Sequence, residues 1–216
     1  MKRFCNNDYN LRRSVRYREI ESLYLSLSGS GVPLILDLGA NIGLSSLYFC
    51  KNWPLAKVVA LEPERRNLET LLLNIKGIPS IDAIHAAISS HDGTVRITNP
   101  DDDAWGYRTQ ETAEGGAASI RAMSVDSVIE TIDIKDRPLY PFIAKIDIEG
   151  FEENLFLKNT DWVRQFPVIA IELHDWMLPG EGSSLNFFKT IANGNWDVVF
   201  HGELALCISN DFRAPV

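Results

Sequence analysis

The segment LILDLGANIGLSSLYF, residues 34–49, decides the fold class. Residues 34–38 form an apolar run interrupted only by Asp37, the pattern of a short strand buried on both faces. Gly39 and Gly43 then turn the chain, and residues 42–52 have helical character, with Pro54 beyond their end. A strand, a glycine turn and a helix in succession open an α/β fold. In such folds a ligand sits beyond the carboxyl ends of the strands, against the free N–H groups of a helix N-terminus.

The same alternation continues on either side. Lys57–Leu61 is a second buried strand, and residues 63–75 are a helix with Pro63 in its first turn and Leu68, Leu71, Leu72 and Ile75 at helical spacing. Residues 81–88 read as a third strand, with Gly93–Ile97 as its hairpin partner. Residues 101–116 are polar and glycine-containing, a loop or flap carrying Trp105, Tyr107 and Arg108. A short strand and helix follow over 122–132. Residues 142–148 and 168–173 are strands, residues 151–158 and 183–192 helices. Residues 196–200 and 204–208 form a terminal hairpin. Strands alternating with helices imply parallel pairing through right-handed crossovers. The expected architecture is α/β: a doubly wound, mostly parallel sheet with a C-terminal antiparallel hairpin strand. Upstream, residues 15–26 predict a helix that Gly29-Ser30-Gly31 breaks. The chain therefore divides into a helical lead-in, 1–30, and a single domain, 31–216.

Composition narrows the function classes. With 216 residues, 45% of them hydrophobic, the chain can bury one sizeable core. A formal net charge of −8 repels phosphate backbones, so nucleic acid is not an expected partner. Six of the 21 basic residues, Lys2, Arg3, Arg12, Arg13, Arg16 and Arg18, lie at the start. They read as a solvated lead-in, or as a contact for an acidic acceptor. Cys5, Cys50 and Cys207 are far apart and form no CxxC pair, as in inert thiols of a reducing compartment. No apolar run reaches the roughly 18 residues of a membrane span, and no secretory leader is evident. A cytoplasmic protein is expected.

The opening turn selects a nucleoside. Gly39 and Gly43 let a ligand approach the backbone, and Glu62, closing the second strand, can accept hydrogen bonds from both ribose hydroxyls. The dinucleotide fingerprint G-x-G-x-x-G fails here, because Asn41 and Leu44 occupy the second and third glycine positions. Asp37 near the turn repels a phosphate and attracts an ammonium. S-adenosylmethionine has an ammonium, a sulfonium and a ribose but no phosphate, and it fits these acids. Its candidate contacts are Asp37, Gly39, Ala40, Asn41, Gly43 and Glu62. Ala87 and Ile88, with Ser89, stand at the third strand's end for the adenine. Glu64 reads first as a helix-terminal charge, and His91 and Asp92 as a turn.

The chemistry points to two later strand ends. Asp147 and Glu149 follow the apolar strand FIAKI two residues apart, and Glu172 and His174 repeat that relation on the next strand. Alternate strand residues face the same way, so three carboxylates and one imidazole share a cleft. Asp147 and His174 are the candidate bases for a hydroxyl nucleophile, with Asp147 also near the cofactor's methionine end and His174 alternatively orienting the acceptor. Glu149 and Glu172 complete the catalytic set. Lys145 reads as the structural partner of a carboxylate. A divalent metal held by Asp147, Glu149, Glu172, His174 and Asp175 is the alternative, not favoured because no tight ligand spacing exists.

The motifs DLGANIG and ALEPE, Asp37–Gly43 and Ala60–Glu64, look like those of class I S-adenosylmethionine-dependent methyltransferases. KIDIEGFE, Lys145–Glu152, and IELHDW, Ile171–Trp176, with VDS between, narrow the likeness. Together they resemble the FkbM-type methyltransferases, over most of the chain from Leu34 to Ile208. The resemblance implies a seven-stranded, Rossmann-like sheet whose last strand is antiparallel, and an O-methyl acceptor such as a sugar, natural product or other small molecule. It leaves the acceptor and the oligomeric state open. Position 147 begins Asp-Ile-Glu-Gly rather than an Asn/Asp-Pro-Pro-Tyr strand end, which disfavours N-methylation. The rival readings are a nucleoside-binding module without catalysis and, further off, an NAD-dependent oxidoreductase.

Overall fold

The first strand has partners on both sides, as its apolar composition demands. In the computed structural model, which describes residues 15–97, 109–111, 119–132 and 137–212, strand β1 (Val32–Leu38) runs parallel to β2 (Lys57–Leu61) and to β8 (Leu139–Ile146). Beyond β2 lies β3 (Ile81–Ile84), and beyond β8 lies β9 (Val168–Glu172), both parallel. The hairpin of β10 (Trp196–His201) and β11 (Leu204–Ser209) completes the sheet, in the order β10-β11-β9-β8-β1-β2-β3. Strand β11 is antiparallel to both neighbours. The sheet is thus seven-stranded and mostly parallel, as expected, with the antiparallel strand inserted between β9 and β10. The chain winds outward from β1 through β2 to β3, then returns to β8 on the other side. The carboxyl ends of β1 and β8 are therefore the switch point, where a crevice opens.

Successive residues of β1 face opposite layers. Leu34, Leu36 and Leu38 join one core with Trp162, Phe166, Phe187 and Ile191. Ile35 joins the other, with Phe49 and Trp53 near the end of helix α2 (Leu44–Asn52). The upstream helix α1 (Val15–Ser30) contributes Ile20 and Tyr24 to this second core. Tyr24 packs on Phe142 at 5.7 Å between ring centroids, Trp53 meets Phe142 edge-on at 5.6 Å, and the Tyr24 hydroxyl accepts the Leu55 N–H at 2.8 Å. Helix α1 extends through Gly29 to Ser30. The break falls at Gly31, where a Cβ would collide with the Pro138 carbonyl and the Tyr140 ring.

Three boundaries differ from expectation for physical reasons. Helix α3 (Arg65–Asn74) starts after Pro63, because Glu64 is its N-cap and its side chain accepts the Asn67 N–H at 2.7 Å. The third strand divides: β3 ends at Ile84, and β4 (Ala87–Ile88) belongs to a second, four-stranded sheet. That sheet, ordered β4-β7-β5-β6, pairs β5 (Gly93–Ile97) antiparallel with β6 (Thr109–Glu111) and β7 (Ser119–Met123), not with the third strand. Apolar periodicity reports burial and cannot distinguish one straight strand from a chain that bends between two sheets. Helix α4 (Val125–Glu130) follows β7, α5 (Glu152–Leu155) follows β8, and α6 (Leu185–Ala192) lies between β9 and the hairpin. No helix among the described residues is long and apolar enough to cross a membrane.

Phe142 is fully buried between α1 and α2, so Phe142→Ala is expected to cost about 3–5 kcal/mol in chemical denaturation. Leu72→Ala, on the half-exposed side of α3, should stay within about 0.5 kcal/mol of wild type.

Candidate functional site

The turn after β1 is built by its neighbours. Gly39 and Ala40 donate their N–H groups to Leu61 O at 3.1 and 2.9 Å, which draws the turn over the end of β2. Gly39, Asn41 and Gly43 all have positive φ, at 77°, 52° and 82°. A Cβ on Gly39 would run into the main chain of Asp147, and one on Gly43 would stand 2.9 Å from Leu71 Cγ. The glycines are thus required by the β8 end and by α3. Gly43 is also the N-cap of α2 and offers no side chain, so Asn41 does not cap this helix.

Glu62 fastens the turn from the β2 side. Its Oε2 accepts the Asn41 N–H at 2.7 Å, and its Oε1 accepts the Glu64 N–H at 2.9 Å. Burial pushes this carboxyl up to about 7, and the two amides only partly counter that. The Asn67 side chain also hydrogen-bonds this carboxylate, which is left only 5% exposed.

Beneath the turn lies a buried ion cluster. Asp37 is fully buried, with Oδ2 accepting the Ser46 hydroxyl at 2.6 Å and Oδ1 3.1 Å from Lys145 Nζ. Lys145 also donates to Gly39 O at 2.7 Å and lies 3.4 Å from Asp147 Oδ2. Burial alone would lower the lysine's pKa, but Asp37 and Asp147 outweigh it and hold the ammonium charged. Asp37 is therefore a structural acid, tied to a serine and a lysine rather than to turn amides. The charge that reaches the crevice is Asp147.

The strand-end residues converge. His174, 2% exposed, directs Nδ1 to Glu152 Oε1 at 2.8 Å. Its Nε2 lies 3.5 Å from Glu149 Oε2 and 3.7 Å from Asp147 Oδ1. Glu149 adopts φ 55°, and with Gly150 at φ 95° it bends the chain so that its carboxylate turns back toward His174. Burial would lower the imidazole pKa, yet the Glu152 hydrogen bond and the charges of Glu152, Glu149 and Asp147 push it up to about 9. Burial, with Asp147, Glu172 and Glu152 nearby, pushes Glu149 up to about 7. Asp147 and Glu149 keep 31% and 25% of their side chains exposed, and they are the faces the cluster offers.

Other expected residues stand elsewhere. Glu172 ends β9 and acts on Glu149 through its charge. Asp175 accepts the Ser184 N–H at 3.3 Å ahead of α6. Ala87 and Ile88 are buried in apolar clusters, so their backbone is what they can offer a base. Ser89 donates to Asn154 Oδ1 at 2.8 Å. Asp92 accepts from Ser127 Oγ and the Ser124 N–H, which lower its pKa and make it the turn residue expected. Trp105, Tyr107 and Arg108 lie outside the described residues. Sequence reasoning missed Glu152 and Ser46 as site-building residues. Glu152 closes the KIDIEGFE motif, but nothing in the string announces that it meets a histidine 22 positions on.

The model of the methyltransferase FkbM domain matches residues 37–204, which span both halves of this site. The chain belongs to the FkbM methyltransferase family. Among its relatives, Methyltransferase sdnD of Sordaria araneosa is 29% identical, over 60% of this chain and 61% of that protein. Hexuronic acid methyltransferase AglP of Haloferax volcanii is 24% identical, over 70% of this chain and 60% of that protein. This FkbM chain therefore spans about three fifths of the length of the curated relatives it matches. The crystal structure of an FkbM methyltransferase from Methylobacillus flagellatus shares the fold, with a TM-score of 0.52 at 20% identity, over 83% of this chain and 43% of that one.

Two outcomes follow from the ion cluster and the turn. Lys145→Met leaves the Asp37 carboxylate buried without its cation and should cost about 3–5 kcal/mol in urea denaturation. Glu62 titrates near 4.5 when exposed and near 7 in the fold, so the folded state binds the extra proton between those values. Its stabilising contribution is complete below about pH 4.5 and is lost as pH rises through about 7. A thermal-melt series from pH 4.5 to 7 should show a shallower decline for Glu62→Gln than for wild type.

Proposed function

We propose that the protein is an S-adenosylmethionine-dependent O-methyltransferase acting on a hydroxyl of a sugar or another polyhydroxylated small molecule. One observation carries this reading. The glycine turn is held on one side by Glu62, through Asn41, and abutted on the other by Asp147 of the carboxylate–histidine cluster. A ribose-accepting acid and a proton-handling group therefore flank one turn at the switch point of the sheet. The family match supports methyl transfer, and the hexuronic acid methyltransferase among the relatives supports a carbohydrate acceptor.

When bound, S-adenosylmethionine supplies an electrophilic methyl group on a sulfonium, the hard part of the chemistry. The chain's residues do the rest. The Glu62 oxygens would accept the ribose hydroxyls, and the backbone of Gly39 to Gly43 would lie against the methionine portion. Ala87 and Ile88 would present backbone groups to the adenine. The acceptor hydroxyl loses its proton as it attacks. His174 is buried and occupied by Glu152, so Asp147 and Glu149, the exposed members, are the groups with reach to take that proton. His174 positions them, and Glu172 adds negative charge behind. Lys145, by fixing Asp147 to Gly39 O, holds the proton acceptor in register with the cofactor turn. Net negative charge in the cleft favours a cationic cofactor over a dinucleotide pyrophosphate. The thiol of Cys207, which burial pushes up to about 12, and the free thiol of Cys50 fit a reducing, cytoplasmic setting.

Calorimetry with S-adenosylhomocysteine and transfer of a labelled methyl group to a panel including hexuronic acids test the reading. Glu62→Ala should weaken cofactor binding by about 10- to 100-fold, the loss of hydrogen bonds to a charged group. Asp147→Asn should cut turnover by about 100-fold or more and leave cofactor affinity nearly unchanged. Absence of binding by the wild-type chain, or wild-type turnover in Asp147→Asn, overturns it.

A further inference from the structure

Asp147, Glu149 and His174 each present one ligand atom, and these three atoms lie within 4.8 Å of one another. Two are hard carboxylate oxygens and the third is an imidazole nitrogen. That donor set suits Mg²⁺ or Mn²⁺ better than a soft-metal site, and the imidazole leans it toward Mn²⁺. In an octahedral shell with bonds of about 2.1 Å, neighbouring donors stand about 3 Å apart and opposite ones about 4.2 Å. The observed 3.5 and 3.7 Å from Nε2 to the two carboxylates lie between those two spacings, and the three donors as a group, within 4.8 Å, would draw in around an ion.

Carboxylates alone would not carry the argument, since acid clusters are common on surfaces. The histidine is what distinguishes this one. His174 is 98% buried as a residue, 2% being exposed, yet its Nε2 points between two carboxylates at distances longer than a charge-assisted hydrogen bond. Its other nitrogen is held by Glu152, which is itself fully buried and is braced by the Gly150 N–H at 3.3 Å. A buried carboxylate that takes Nδ1–H and leaves Nε2 aimed at open donors is the outer partner metal-binding histidines use, fixing the tautomer and the ring's direction. Glu152 is fully buried and lies outside the three-donor group, so its role is separate evidence.

We infer that Asp147, Glu149 and His174 form a divalent-cation site of the Mg²⁺/Mn²⁺ class, with Glu152 as the positioning residue for His174. The cation takes the place of the proton on Nε2, and three protein donors leave further coordination positions for the acceptor's hydroxyl oxygens. Glu149 keeps its second oxygen for the hydroxyl proton. The role in catalysis rests on the methyltransferase reading; the binding of the ion does not.

The test uses the full chain, stripped with chelator, and Mn²⁺ as the probe, followed by the loss of its free-ion electron paramagnetic resonance signal. One Mn²⁺ per chain, displaced by excess Mg²⁺, is expected. His174→Ala should abolish binding, and Glu149→Gln, a conservative change at a partly exposed side chain, should weaken it at least about tenfold. Glu152→Gln should weaken it about 10- to 100-fold without contributing a donor. Thermal melts in metal-free buffer establish that each variant is folded, and Glu149→Gln decides the matter if His174→Ala is not. No binding at millimolar Mn²⁺, or binding indifferent to Glu149→Gln, overturns the site. Competition between Mn²⁺ and S-adenosylhomocysteine also overturns it, because the carboxylates would then serve the cofactor's own cation. Mn²⁺ binding without cofactor binding keeps the metal site and removes the methyltransferase reading; cofactor binding without Mn²⁺ does the reverse.

Discussion

A single buried ammonium organises this protein. Lys145 Nζ reaches Asp37 on β1, the Gly39 carbonyl in the turn and Asp147 at the end of β8. It donates a hydrogen bond to the carbonyl and forms ion pairs with the two carboxylates. Burying a lysine is costly unless it is paired, and here two carboxylates and a carbonyl offset the desolvation. Asp37 is in turn fixed by Ser46 from α2, so one charged group ties together two strands, the turn between β1 and α2, and that helix. The glycine turn and the Asp147 carboxylate are therefore coupled through one group.

That coupling explains why the site combines rigidity with exposure. Asp37 and Lys145 are enclosed, and Asp147 is left 31% exposed at the border. On the other side, His174 and Glu152 are enclosed and Glu149 is 25% exposed. Each cleft-facing carboxylate is backed by a buried cationic or hydrogen-bonding group that fixes its direction. Side chains held this way have little freedom left to lose on binding a ligand.

The sheet was largely legible because parallel strands buried on both faces are mostly apolar, and the runs of β1, β2, β8 and β9 stand out between helical segments. The convergence of Asp147, Glu149 and His174 does not come from strand alternation, because all three lie beyond the ends of β8 and β9 and Glu149 is turned back by its positive φ. The second sheet was not legible, because β4, β5 and β7 are short and their pairing is non-local, so periodicity suggested a simple hairpin. Glu152 was hidden differently. Its partner lies 22 positions on, beyond the end of the next strand, and the chain bends at Glu149-Gly150 before reaching Glu152. The N-cap role of Glu64, by contrast, is a local effect, and the residue was rightly read as a helix-terminal charge.

The glycine turn shows how a motif can point to a ligand for a reason other than contact with it. Gly39 lacks a side chain because the main chain of Asp147 occupies the place where one would be. Gly43 lacks one because Leu71 does. DLGANIG and KIDIEG are thus parts of one packed unit, with Gly39 fitted to the Asp147 main chain and Gly43 to the core residue Leu71. A Cβ at Gly39 would push Asp147 away from Lys145 and so displace the carboxylate that faces the cleft. The turn's sequence thus fixes the separation between the turn backbone and the Asp147 carboxylate.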